Sequence, residues 1–202
     1  MFNGKNLPKY CNMKKYFLLT VFTLVATLWA NAQNLDKMQW FNEPDYTIKN
    51  GKLEMDVPAQ TDYWRISHYG FTVDDGPFLY TTVGGELEAK IKVSGDYKVR
   101  FDQAGMMIRK DPSDWSVIEL KEPIPFLWLK AVRRLDAIEL YYSFDDKEYT
   151  MMRTLWMQDN CPLMVGPVAA CPDGQGFKAV FSHFKVKHLP DQRRVEWLKN
   201  NQ

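Results

Sequence analysis

Residues 63–80, YWRISHYGFTVDDGPFLY, set six aromatic rings around one histidine, one arginine and an Asp-Asp-Gly turn. Saccharides are held by an aromatic face beneath their C–H surface and by fork-like polar donors at their hydroxyls. Trp64, Arg65 and His68, with Arg109 and Trp115 further along, form such a ligand-binding set. On a strand, Tyr63 and Arg65 lie opposite Trp64 and Ile66, so ring and guanidinium cannot both face a core. The competing reading of His68 is a hydrogen-bonded structural residue at a turn.

A second chemistry needs acids. Hydrolysis of a sugar bond takes two flanking carboxyl groups, about 5–5.5 Å apart for retention and about 6.5–9.5 Å for inversion. Glu119 shares a strand face with Trp115 and Val117, and Glu139 flanks Tyr141, so each sits beside a ring as a general acid requires. Ordinary cross-strand pairing with Lys130, Arg133 or Arg134 competes with that role. Glu86 and Glu88 share a face with Lys90 and Lys92 and no aromatic platform, which reads as a solvated exterior. Asp74, Asp75, Asp145 and Asp146 offer oxygens of the kind calcium takes. The EF-hand spacing is absent, however, and turn roles explain all four. No cofactor is therefore expected beyond a structural calcium. His68, His183 and His188 follow no metal-ligand pattern, and nucleophile-elbow, Walker and dinucleotide motifs are absent.

Short strands must position these residues. In ELEAKIKV, Leu87, Ala89, Ile91 and Val93 alternate with Glu86, Glu88, Lys90 and Lys92, the pattern of a half-buried antiparallel strand. DAIELYYSF (136–144) alternates likewise, and 126–134, 148–156 and 177–188 are rich in aromatic and β-branched residues. Turn signals separate them at Asn50-Gly51, Asp75-Gly76-Pro77, Gly84-Gly85, Ser94-Gly95-Asp96, Asp145-Asp146 and Pro172-Asp173-Gly174. The expected class is an all-β sandwich, with one short helix outside it over 190–201, starting at Pro190-Asp191.

Residues 14–32 carry two lysines, an apolar run from Phe17 to Trp29 and Ala30-Asn31-Ala32. This is the order of a signal peptide cleaved before Gln33, with Met13 as an alternative start. The run is shorter than the ~20 residues of a bilayer span. A secreted or periplasmic protein without a membrane span is expected, with one domain over 33–202. Losing the leader removes Lys5, Lys9, Lys14 and Lys15 and no acid, leaving 22 bases against 25 acids, a net charge of −3. That balance argues against nucleic acid and anionic membranes as partners. Cys161 and Cys171 are separated by an extended-looking stretch, about 30 Å at ~3.3 Å per residue, far beyond disulfide reach. Two free thiols follow. The ten methionines read as core filling.

Several blocks, in order, resemble a known family: YWRISHYGFTVDDGPFLY, FDQAGMMIRKD, SDWSVIEL, WLKAVRRLDAIELYYSFDDKEYTMMR and VGPVAACPDGQGFKAVFSHFKV. The chain is similar to the concanavalin A-like family of regulation-of-enolase type, a domain of unknown function. The resemblance implies a jelly-roll sandwich of two antiparallel sheets with one concave face. It implies no activity, because such folds host lectins, glucanases and interaction domains alike. One internal hairpin is missing: Arg109-Lys110-Asp111 runs directly into Pro112-Ser113-Asp114-Trp115-Ser116. The resemblance places the lost strand near the middle of the concave sheet, where its absence must re-pair neighbours or expose edges. The leading expectation is an exported, non-catalytic, monomeric module binding an oligosaccharide or polysaccharide. The alternatives are a glycoside hydrolase using Glu119 and Glu139, and a protein-interaction domain.

Overall fold

The alternation in residues 87–93 is realised in full: Leu87, Ala89, Ile91 and Val93 are wholly enclosed, and Glu88, Lys90 and Lys92 are half-exposed. A computed structural model describes residues 34–201 apart from 67, 69, 121–123, 159–160 and the side chain of Leu120. The expected leader over 1–32 lies outside the described residues. The strands are β1 Gln39–Phe41, β2 Asp45–Lys49, β3 Lys52–Val57, β4 Tyr63–Arg65, β5 Thr72–Asp74, β6 Phe78–Val83 and β7 Leu87–Gly95. They continue with β8 Gln103–Asp111, β9 Asp114–Leu120, β10 Leu127–Arg134, β11 Ala137–Ser143, β12 Thr150–Trp156, β13 Leu163–Ala170 and β14 Phe177–His188. One helix follows, α1 Gln192–Asn200.

Two antiparallel sheets form the sandwich. One has five strands in the order β1-β6-β13-β8-β9, the other seven in the order β12-β11-β10-β7-β14-β3-β2. The inward side chains of both sheets, among them Leu53, Leu79, Ile91, Met106, Ile108, Leu129, Ile138, Val165 and Phe181, make one continuous core. A smaller apolar cluster of Tyr63, Phe78, Met107, Val168 and Ala170 lies on the outer face of the five-stranded sheet. There β4 and β5 pair as a separate hairpin. The fold is the expected all-β sandwich with a short C-terminal helix. No described helix is long and apolar enough to cross a membrane.

Where the resemblance implies a missing hairpin, β8 turns straight into β9 and pairs with it, Met107 opposite Val117 and Arg109 opposite Trp115. The sheet closes up on the shortened connection, and β9 becomes its edge. Both expected consequences of a lost strand are seen: the neighbours pair, and an edge is left open at β9. Gly105 in β8 makes the pairing close, since a Cβ there would meet the Ile118 carbonyl oxygen at 2.0 Å.

Cys161 and Cys171 are free thiols. Cys171 is buried and donates to Asp102 at 3.0 Å, and burial, then Asp102, pushes its thiol upward. Met55, Met106, Met107 and Met157 fill the core, whereas Met151 and Met152 are exposed on β12, an edge strand. Glu86 corrects the solvated-exterior reading. It is 8% exposed, pairs with Arg134 at 2.6 Å and accepts from the Gln192 backbone N–H at the start of α1. Asp191 caps that helix, accepting from Arg193 and Arg194.

Candidate functional site: an aromatic groove under a hairpin

The outer face of the five-stranded sheet carries a groove of about 970 Å³. Its floor is Gln103 and Gly105 of β8, Trp115, Val117 and Glu119 of β9, and Val168 and Ala170 of β13. Its wall is the β4–β5 hairpin, with Tyr63, Trp64, Arg65 and Phe71. Alternation in β9 explains the floor: Ile118 enters the core, so Trp115, Val117 and Glu119 point out. The groove continues around the open edge of β9 to Arg153, Leu155 and Trp156 of β12, in the other sheet.

The hairpin is fastened rather than draped. The Tyr63 ring meets Trp115 edge-on, centroids 5.9 Å apart, and its hydroxyl donates to the Gly76 carbonyl. Burial pushes the Tyr63 phenol well above its ordinary range. The Arg65 guanidinium reaches the Pro112 carbonyl at 3.2 Å, tying the hairpin to the β8–β9 turn. Trp64 packs on Phe71, centroids 6.2 Å apart.

Beneath the hairpin lies the main electrostatic anchor. Arg109 donates both Nη groups to Asp74, at 2.5 and 2.6 Å, and Phe41 stacks on its guanidinium at 4.5 Å. The hydrogen bond to Asp74 holds the Arg109 cation firmly in its charged form. Asn42 completes the clamp, donating to the carbonyls of Asp74 and Gly76.

The structure brings Trp64, Arg65, Trp115 and Glu119 together along one groove. Arg109 does not join them as a ligand donor: its side chain is 2% exposed and its fork is taken by Asp74. His68 sits exposed in the connection between β4 and β5, at a positive φ of 65°, outside the groove lining. Glu139 lies on the outer face of the seven-stranded sheet, because its neighbours Ile138 and Leu140 face the core. Glu119 and Glu139 thus project from opposite sides of the sandwich, with two sheets about 10 Å apart between them, and cannot flank one sugar bond. The Tyr141 hydroxyl donates to Glu139 at 2.6 Å, which pushes that phenol up to about 12.

The four turn aspartates are engaged by the protein's own donors. Asp74 holds Arg109, Asp75 accepts from the Asp62 amide, Asp145 from the amides of Lys147 and Glu148, and Asp146 from Lys90 and Tyr149. Burial alone would raise the Asp146 carboxyl, but the bonds from Lys90 and Tyr149 hold it below its usual range. No group of three or more His, Cys, Asp or Glu that could hold a metal occurs among the described residues.

The sequence does not single out Phe41, and it marks Asp74 as a turn residue or calcium ligand, not as the partner of Arg109. Asp74 carries the signature of a turn, and nothing in the spacing from 41 to 74 to 109 marks the three as neighbours.

Comparison with known proteins gives the chain its relatives. It is 28% identical over 178 residues, 75% of this chain and 90% of the relative, to Regulation of enolase protein 1 of Saccharomyces cerevisiae. A crystal structure of a functionally unknown protein from the same yeast superposes with a TM-score of 0.71 at 26% identity, covering 78% of this chain and 99% of that one. The GH43 protein BlXynB of Bacillus licheniformis shares the fold, with a TM-score of 0.57 at 15% identity over 79% of this chain and 38% of its own. The sequence pattern of the family described as "Protein of unknown function (DUF1349)" matches residues 40–113 and 110–189, two segments that meet at the shortened β8–β9 turn. With that match spanning most of its length, the chain belongs to the DUF1349 family.

Proposed function

We propose that the protein is an exported, non-catalytic module that binds an oligosaccharide or polysaccharide as a monomer. The groove on the outer face of the five-stranded sheet receives the sugar chain. The observation that carries this reading is the convergence of two half-exposed tryptophans, Trp64 and Trp115, with Arg65 and Glu119 along one open channel. Flat rings offer the C–H face of a pyranose a surface, and the polar pair offers its hydroxyls both a donor and an acceptor. Occurrence of the same fold in a carbohydrate-active GH43 protein is consistent with this use. The pattern of residues 14–32 supports export. Catalysis has no support in the placement of the acids.

The test is a thermal melt of the purified protein with xylo-, cello- and manno-oligosaccharides. A ligand at about 100 times its dissociation constant adds ~2.7 kcal/mol, a visible rise in Tm. One sugar class should raise the wild-type Tm, and Trp64→Ala and Trp115→Ala should each abolish the rise. A wild-type melt that no sugar moves, or a full shift kept by both variants, overturns the reading.

A further inference from the structure

The outer face of the seven-stranded sheet holds a second unexplained arrangement. Lys185 of β14, Lys90 of β7 and Lys130 of β10 stand directly opposite one another in a single cross-strand row. In the neighbouring row Lys92 stands opposite Trp128. Like charges placed directly across strands cost stability, so a row of three needs a reason. Asp146 neutralises only Lys90, at 2.6 and 2.8 Å. Among the described residues no carboxylate forms an ion pair with Lys92, Lys130 or Lys185.

Aromatic rings hold the ammonium groups of Lys92 and Lys130 instead, and add to the carboxylate at Lys90. Lys130 lies 4.0 Å from the centroid of Tyr149 and 4.6 Å from that of Tyr141. Lys92 lies 3.6 Å from Phe126 and 5.8 Å from Trp128, and Lys90 is 5.1 Å from Trp128. A ring orients a cation and removes part of its water without cancelling its charge. The result is a set of preorganised cations beside a half-exposed tryptophan, on a chain whose expected mature charge is negative.

We infer that this face is a second binding site, separate from the groove, for an acidic saccharide chain whose carboxylates lie along the lysine row while its rings rest beside Trp128. Strands lie about 4.8 Å apart, close to the length of one pyranose residue, so Lys185 and Lys130, on either side of the Asp146-paired Lys90, meet alternate uronates of one chain. Ammonium-to-carboxylate hydrogen bonds are the strong, charge-assisted kind. A diffuse polyanion site would need an overall basic surface, which this composition does not supply.

The experiment measures binding of tetragalacturonate to the purified protein by calorimetry, with xylotetraose, inorganic sulfate and tetraglutamate as comparison probes. Tetragalacturonate should bind, and Lys92→Gln/Lys130→Gln should weaken it about tenfold or more. Raising salt from about 50 to about 500 mM should weaken it similarly. The double variant relieves repulsion, so an unchanged near-ultraviolet spectrum is expected and separates lost binding from lost folding. Binding unaffected by the variant, or equal affinity for sulfate, tetraglutamate or xylotetraose, overturns the inference. Failure of the groove to take a neutral sugar leaves this measurement untouched, because no groove residue enters it.

Discussion

At the scale of the residue, the decisive contact is the ion pair between Arg109 and Asp74. Removing one member of a buried pair strands the other charge in a low-dielectric site. Asp74→Asn should therefore destabilise the protein by about 3 kcal/mol, slightly tempered because Asp74 is 25% exposed. Urea unfolding measures this, and a companion change, Arg109→Met with Asp74→Leu, should recover most of the loss. A cost below about 0.5 kcal/mol would mean that water screens the pair as it does surface pairs. Arg109 also marks where residue-type reasoning ends. An arginine on an outward strand position beside Trp115 looks like a ligand donor, and only the return of the chain at Asp74 occupies its fork.

At the scale of the element, alternation was legible and attachment was not. The helix start at Asp191 follows from local capping chemistry, which four or five residues determine. Its docking depends on Glu86, about a hundred residues earlier, which binds both Arg134 and the Gln192 amide. Glu86→Ala should leave the main melt within about 1 kcal/mol, because few core atoms are lost. It should markedly speed proteolytic cleavage after Arg193 and Arg194. Unchanged cleavage would show that α1 is held elsewhere. The strand β9 teaches the same lesson from its edge. Its outward Trp115, Val117 and Glu119 can be read from period two, whereas its place at the end of a sheet follows from the strand order.

At the scale of the whole molecule, one core joins the two sheets, so they should unfold together. Phe181, fully enclosed in that core, tests this: Phe181→Ala should cost about 3–5 kcal/mol through lost burial and a residual cavity. Far-ultraviolet circular dichroism and tryptophan fluorescence should still give coincident transitions. Separated transitions would mean that the sheets fold as independent units. Local pattern specified the longer strands, their inward faces, most of the turns, the free thiols and the helix start, although β7 runs on through Ser94 and Gly95, where a turn was expected. These are local features, governed by backbone sterics and by a period of two between burial and exposure. The tertiary structure alone decided that Glu119 and Glu139 lie on opposite faces, that Arg109 serves Asp74, that Glu86 staples a helix, and that three lysines align across β14, β7 and β10. Those relations depend on strand order and register, and the alternation that makes a strand is equally satisfied by many pairings.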